Sequence, residues 1–207
     1  MCLLIESISL KEGKFLNLAG HEKRYTASYQ ACFGILPEIT LGRYLSECTI
    51  PADGWYKCRL LFNQTELTVD FVPYVQPKIQ SATIIDAGNI TYDHKYASRP
   101  ELDALFNQKG QTDEIIMIKN GLVTDAYYYN LIFEKNNTWY TPAKPLLRGT
   151  MRQLFLDSRK LIPADIEQRD IINFDAIHFI NAMNSPGKIT IIPRYEKTIF
   201  FKEHPAK

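Results

Sequence analysis

The hydrophobic pattern in the first half of the chain changes from the period of a strand to that of a helix and back again. Apolar and polar residues alternate at the start, as they do in a half-buried strand. Apolar and small residues then recur every three or four positions, a helical spacing that Gly34 ends. The predicted elements are a hairpin over 4–18, a helix over 21–33, a second helix near 38–48, and strands at 55–62 and 66–74.

The second half is richer in strand patterns than the first. Asn120-Gly121 is its strongest hairpin signal, because both residue types accept the backbone of a tight two-residue turn. Ser98 stands three residues before Glu101, as in a capping box, and predicts the start of a helix. A second helix is predicted from Gly149-Thr150. The pattern predicts a meander with strands near 84–85, 114–119, 122–124, 131–134 and 139–140.

A proline-containing stretch divides the two halves. Pro73 and Pro77, with polar neighbours as far as Ser81, are typical of a linker. We therefore predict a mixed α+β protein with a small N-terminal α/β domain, residues 1–83, and a larger β-rich domain, residues 84–207. At 207 residues and 45% hydrophobic, the chain can bury a substantial core.

Composition narrows the range of partners. The 24 Lys and Arg residues against 23 Asp and Glu give a net charge of +1, without the excess of basic residues that nucleic acid binding requires. The apolar start is interrupted by Glu6 and is too short for a signal peptide or a membrane span. The cysteines lack a Cys-x-x-Cys pair, so we expect no metal site, no disulfide framework and a reducing cytoplasm. They are Cys2, Cys32, Cys48 and Cys58.

Two segments of the first hundred residues contain candidate cationic site residues. Arg24 lies near the start of a predicted helix and could offer a fork of donors to an anion, although a solvated surface arginine is the more ordinary explanation of this residue alone. Lys95 precedes another predicted helix. If its amine is desolvated, it can form a Schiff base, whereas a surface lysine stays protonated and inert.

Two later segments could complete a site. Asp125 stands among mostly apolar residues, where an unpaired carboxylate would be costly. A protonated pyridine nitrogen would satisfy it, and so would the backbone amides of a turn. Gly149 and Thr150 open a predicted helix, whose amides and hydroxyl could cradle a phosphate, although many helices begin in this way for capping alone.

In this order and spacing, the segments resemble the class IV aminotransferases, a family that includes branched-chain aminotransferase, D-amino-acid aminotransferase and 4-amino-4-deoxychorismate lyase. The resemblance covers nearly the whole chain and implies the fold-type-IV architecture of D-amino-acid aminotransferase. It is carried by Glu-Ser-Ile at 6–8, His-x-x-Arg at 21–24, Lys-x-x-Ser-Arg at 95–99, Gly-x-Val-Thr-Asp-x-x-x-x-Asn-x-x-Phe at 121–133, and Thr-Pro with a later Leu-x-Gly-x-x-Arg at 141–152.

The resemblance implies pyridoxal 5′-phosphate (PLP) as cofactor, with Lys95 as the catalytic residue that holds it as a Schiff base. Asp125 stands where the family has the glutamate that binds the pyridine nitrogen. Arg24 would bind the phosphate, and Ala182, which lacks a hydroxyl, would offer only its amide. The other residues implied at the phosphate are Gly149, Thr150, Met151 and Asn181.

Three departures from the family pattern bear on specificity. Asp125 is one methylene shorter than glutamate, and Ser98 replaces the usual asparagine. The chain also begins where relatives have already completed an N-terminal strand and loop, a region that helps to select the substrate.

Within the family we favour the lyase, which converts 4-amino-4-deoxychorismate to 4-aminobenzoate and pyruvate for folate synthesis. Aromatisation drives that reaction, so a weaker electron sink at Asp125 would be tolerated. The alternatives are an aminotransferase for D- or branched-chain amino acids and a PLP-binding protein without turnover. Arg59 would meet a carboxylate of the small amino substrate if strand alternation turns it inward, and would be solvated if it points outward. The resemblance also implies a homodimer, because family sites lie at a subunit interface.

Overall fold

The computed structural model describes residues 2–194 and 199–201 of the chain. The chain forms two compact units: the first contains Met1–Gln76 and His94–Ser98, and the second contains Pro77–Asp93 and Arg99–Lys207. The division that we expected after residue 83 would cut a strand, β5 (Ser81–Asp86), which pairs with a strand of the second unit. The short segment around Lys95 returns to the first unit.

The first unit is an antiparallel sheet with two helices. The strand order is β2-β1-β3-β4, and every pairing is antiparallel. The predicted elements of this half are all present, with ends shifted by a few residues. Its elements are β1 (Leu4–Lys11), β2 (Lys14–Phe15), α1 (Leu18–Phe33), α2 (Leu41–Ser46), β3 (Trp55–Phe62) and β4 (Leu67–Pro73).

Alternation along the strands sets which residues of this unit are buried. In β1, Leu4, Ile8 and Leu10 are fully buried, and they pack with residues of α1 and α2 in one hydrophobic core. Glu6 belongs to the same alternating row and is only 2% exposed. The core row of β1 therefore carries one carboxylate among its apolar side chains.

The segment around Lys95 pairs with the start of β1. The Ile5 amide donates to the Lys95 carbonyl over 2.9 Å, and the Ala97 amide donates to the Leu3 carbonyl over 2.9 Å. Tyr96 forms an antiparallel bridge with Leu4. Because these bonds fix the backbone on both sides of Tyr96, the first unit determines the position of Lys95.

The second unit contains two sheets. Their strand orders are β13-β5-β6-β7 and β10-β9-β8-β11-β12. Besides β5, its elements are α3 (Pro100–Phe106), β6 (Glu114–Lys119), β7 (Leu122–Ala126), β8 (Asn130–Lys135), β9 (Thr138–Pro142), α4 (Thr150–Asp157), β10 (Ile162–Ala164), β11 (Ala176–Ile180), β12 (Thr190–Ile191), β13 (Ile199–Phe201), and 3₁₀ helices at Asn107–Lys109 and Gln168–Asn173.

The predicted meander is wrong at its first connection. β5 and β6 are parallel, so the chain must cross over, and α3 forms part of that connection. The later hairpins, β6 with β7 and β8 with β9, are antiparallel as predicted. Large apolar residues from both sheets, including Ile116 and Phe179, form the core of this unit.

The start of α3 also differs from its prediction. Arg99, not Ser98, occupies the N-cap position, and it makes no capping hydrogen bond through its side chain. Pro100 is the first helical residue, where its fixed φ suits the helix and its missing N–H costs nothing. The described part of the chain has no helix that is both long and apolar enough to cross a membrane.

Candidate active site

Glu6 binds two residues of α1 in the first unit. Its Oε1 accepts a hydrogen bond from Arg24 Nε over 2.7 Å, and its Oε2 accepts one from Arg24 Nη2 over 2.6 Å. His21 Nδ1 lies 2.6 Å from the same Oε2. His21 and Arg24 are three residues apart in the helix, so both side chains reach the carboxylate from one face.

The pKa of Glu6 reflects these partners. Burial raises the pKa, but the Arg24 charge and the hydrogen bonds from His21 and Arg24 outweigh burial and hold it at about 2. Glu6 is therefore ionised at all ordinary pH values. Within the described residues, Arg24 has no acceptor for Nη1, so this nitrogen can bind an external anion while the other two stay on Glu6.

Glu6 was not among the predicted site residues, although it forms part of the family motif. The available signal was a charged residue in an otherwise apolar alternating row. In a core strand such a residue needs a charged or hydrogen-bonding partner. That signal predicts a buried ion pair but leaves its partner open.

Lys95 and Arg59 lie on the sheet face opposite the core of the first unit. Tyr96 packs against that core, so strand alternation turns the neighbouring Lys95 to the other face. In β3, Cys58 and Leu60 are buried, which places Arg59 on the same outer face. The Arg59 side chain is 40% exposed, and its Nη1 lies 3.9 Å from Asp70 Oδ2.

Asp125 lies in the buried part of β7 in the second unit and is 4% exposed. Its Oδ1 accepts a hydrogen bond from Asn130 Nδ2 over 2.5 Å, and its Oδ2 accepts one from the Leu147 amide over 3.0 Å. Burial raises the pKa of Asp125 to about 6, although the bonds from Leu147 and Asn130 oppose this rise. A carboxylate has about four acceptor positions, so a further donor can still bind.

Asn130 connects Asp125 to the loop before α4. Its Nδ2 also donates to the Leu147 carbonyl over 2.8 Å. A Cβ at Gly149 would overlap Asn130 Oδ1, so only glycine fits beside this amide. Asn130 belongs to the family motif, but nothing in the local sequence shows what its side-chain amide contacts.

The N-terminus of α4 lies directly after this loop. Gly149 is its N-cap residue, and the Gln153 amide donates to the Gly149 carbonyl over 3.0 Å. Thr150 is buried, and Met151 packs against a small hydrophobic cluster that contains Ile180. The amides in the first turn of an α-helix lack intrahelical acceptors and, with the helix dipole, favour an anion.

The turn after β11 contains the last two predicted residues. Asn181 Oδ1 accepts hydrogen bonds from the Met183 amide over 2.9 Å and from the Asn184 amide over 3.0 Å. Asn181 Nδ2 donates to the Tyr128 carbonyl over 3.3 Å. The Asn181 side chain thus holds the turn in which Ala182 lies.

The predicted site residues fall into two groups, one in each unit. Those of the first unit are Arg24, Arg59 and Lys95, and those of the second are Asp125, Gly149, Thr150, Met151, Asn181 and Ala182. Residues 2–194 contain no cluster of three or more His, Cys, Asp or Glu side chains that could hold a metal ion.

Comparison with known proteins identifies the family. Residues 3–192 match the family described as amino-transferase class IV. An uncharacterized protein of Haemophilus influenzae is 35% identical over 184 residues, which cover 87% of this chain and 97% of that protein. The chain therefore belongs to the class IV aminotransferase family.

Solved structures agree with this assignment. A candidate 4-amino-4-deoxychorismate lyase of Haemophilus somnus is 33% identical, with a TM-score of 0.84, and the match covers 89% of this chain and 98% of that one. A hypothetical aminotransferase of Mycobacterium tuberculosis in its PLP-bound form shares the fold at 17% identity, with a TM-score of 0.72 over 91% of this chain and 80% of that one. The predicted resemblance, the α+β fold-type-IV class and the prediction of an enzyme are thereby confirmed.

Proposed function

We propose that the chain binds PLP, with Lys95 forming the covalent bond to its aldehyde. The donor set fits this cofactor. Arg24 Nη1 and the N-terminus of α4 can bind phosphate oxygens, and Asp125 is a buried acceptor for a protonated pyridine nitrogen. In the same proposal, the Ala182 amide binds the phosphate. Gly149, Thr150, Met151 and Asn181 contribute the remaining contacts.

PLP, when bound, supplies an electron sink conjugated to the substrate amine. The residues of the chain would hold the cofactor and substrate in position and transfer protons. Asp125, whose pKa is about 6, is mostly ionised at neutral pH and so keeps a ring N–H in place. Arg24, held on Glu6, would fix the phosphate end. Once the substrate amine has replaced Lys95 on the cofactor aldehyde, the freed Lys95 amine would remove the proton from the substrate carbon that bears nitrogen.

We infer that the reaction is the lyase reaction on 4-amino-4-deoxychorismate, which releases 4-aminobenzoate and pyruvate for folate synthesis. The observation that carries this proposal is the 33% identity to the candidate lyase of Haemophilus somnus, over nearly the full length of that chain. A homodimer and a cytoplasmic location belong to the same proposal. The four free cysteines support a reducing compartment.

Arg59 is the proposed ligand of a substrate carboxylate, because it shares the outer sheet face with Lys95. The change Arg59→Gln should raise KM about tenfold, with a smaller effect on kcat. Lys57→Gln is the matched control, since Lys57 lies two residues away in β3 and also carries one positive charge. An unchanged KM in Arg59→Gln would exclude this role.

Trapping with borohydride tests the cofactor proposal. Protein saturated with PLP should be yellow, and reduction should leave a pyridoxyl group on Lys95 that peptide mass spectrometry detects. Lys95→Ala should bind PLP without the absorption of the covalent form and should lose turnover. A modification found elsewhere, or none, contradicts the assignment of Lys95.

A coupled assay tests the reaction. When a partner synthase generates aminodeoxychorismate from chorismate, the protein should release 4-aminobenzoate and pyruvate without any keto acid. An aminotransferase would instead need an amino-group acceptor after every turnover. If D- or branched-chain amino acids bleach the yellow protein and a keto acid restores its colour, the aminotransferase reaction replaces the lyase. If PLP binds and neither assay gives turnover, the chain is a PLP-binding protein.

A further inference from the structure

Asn130 connects two parts of the second unit that the proposed function assigns to opposite ends of PLP. Its Nδ2 lies 2.5 Å from Asp125 Oδ1 and 2.8 Å from the Leu147 carbonyl oxygen. The Leu147 amide in turn donates a hydrogen bond to Asp125 Oδ2 over 3.0 Å, so Asp125, Asn130 and Leu147 are all connected. On its other side, Asn130 Oδ1 occupies the space that a side chain at Gly149 would need.

A purely local role does not account for these contacts. The turn between β7 and β8 is closed by its own backbone, since the Ala126 amide donates to the Tyr129 carbonyl over 2.9 Å. Asn130 is only 7% exposed, and its side chain reaches residues 17 and 19 positions further along the chain. A buried amide with both ends in contact holds its neighbours in a fixed register.

We propose that Asn130 is a positioning residue that sets Asp125 and the N-terminus of α4 in one register, so that the pyridine acceptor and the phosphate cradle form together. The inference rests on the proposed binding of PLP. It makes a specific claim about coupling: a change at the phosphate end, Gly149, must also disturb the pyridine end, because it displaces Asn130 from Asp125.

Binding of PLP and of pyridoxal, which lacks the phosphate, separates the two ends. Gly149→Ala should weaken both ligands, on the order of tenfold each, because the added methyl collides with Asn130 Oδ1. Thr150→Val is the matched control at the same helix terminus. It should weaken PLP and leave pyridoxal unchanged. Dissociation constants from absorbance titration of the cofactor-free protein provide the measurement.

A double-mutant cycle tests whether Asn130 transmits the effect. Asn130→Ala should also weaken both ligands. In the double variant the collision is gone, so Gly149→Ala should add less than twofold to the loss already caused by Asn130→Ala. The proposal is overturned if the affinity losses of the two single variants multiply in the double variant. It is also overturned if Gly149→Ala binds pyridoxal as tightly as the parent does.

Melting of the cofactor-free proteins gives a second readout. Gly149→Ala should lower the melting temperature in the parent background and have little effect in the Asn130→Ala background. Asn130→Ser replaces Asn130→Ala if the latter does not fold. If the parent protein binds neither PLP nor pyridoxal, the proposed function fails. The role of Asn130 is tested separately by melting: it is overturned if the melting shifts of Gly149→Ala and Asn130→Ala simply add in the double variant.

Discussion

Glu6 and Glu114 are both buried carboxyl residues, yet their pKa values move in opposite directions. Burial raises the pKa of both. At Glu6 the Arg24 charge and its hydrogen bonds outweigh burial, so the pKa falls to about 2. At Glu114 two backbone amides and the charges of Arg99 and Lys109 compensate only in part, so the pKa rises to about 7. The two residues should therefore give opposite dependences of stability on pH.

Glu6→Gln is expected to destabilise the protein by about 3 kcal/mol at neutral pH, since it leaves the Arg24 charge poorly compensated. The folded-state pKa of Glu6 is depressed, so its contribution is complete above the ordinary value of 4.5 and is lost as pH falls towards 2. Urea unfolding at pH 7 and pH 3 should show the difference between parent and variant shrinking at pH 3. The exposed Glu38 provides the control, because Glu38→Gln should change little at either pH. An equal loss at both pH values would contradict the prediction.

Glu114→Gln should stabilise the protein by about 2 kcal/mol above pH 7. The variant keeps an oxygen for the Ile115 and Tyr127 amides but cannot ionise. Because the folded-state pKa is raised, the ionisation of Glu114 costs stability as pH rises from 4.5 through 7, and the variant avoids this cost. Unfolding midpoints between pH 4.5 and 8 provide the measurement. A gain that is already complete at pH 4.5 would contradict the assignment to Glu114.

At the scale of elements, the turn between β6 and β7 depends on a backbone conformation that few residues adopt. Asn120 and Gly121 have φ values of 53° and 79°, which match the tight hairpin turn predicted from the sequence. The neighbourhood of Gly121 is open, so a side chain there would meet no other atoms. Any loss of stability on substituting Gly121 would thus come from its positive φ and not from a steric clash with a neighbour.

Gly121→Ala is expected to destabilise the protein by about 1 kcal/mol, because alanine resists a positive φ. Gly42→Ala is the matched control, since Gly42 is helical and its surroundings are also open. That change should be neutral or stabilising, by up to about 1 kcal/mol. Thermal unfolding of both variants measures the contrast, and equal shifts of the melting temperature would refute the backbone explanation.

For the whole molecule, we expect a homodimer in solution, as the family resemblance implies. Light scattering coupled to size-exclusion chromatography should give twice the mass of the chain at working concentrations. A monomer with full activity at every concentration would refute this expectation.

The sequence alone was sufficient for the family and for most elements up to α4, but β10, β11, β12 and β13 were not predicted. Strand alternation in β1, helical spacing in α1 and the Asn120-Gly121 turn are local signals, and each predicted its element to within a few residues. The ordered motifs identified a class IV aminotransferase, which the family match to residues 3–192 confirms. Local patterns succeed here because periodicity and turn geometry are set by neighbouring residues.

Only the tertiary structure decided which residues meet. Glu6 and Arg24 are 18 positions apart, and Asp125 and Leu147 are 22 positions apart, so no local pattern shows these pairs. The parallel pairing of β5 with β6 likewise depends on the crossover connection between the two strands, which no local pattern shows. This pairing contradicts the predicted meander. The pKa of a carboxyl residue depends on burial and on charges brought near it by folding, because both change the free energy of the ionised form. The sequence thus determined the residue types of the site, and the fold determined their partners and their charge.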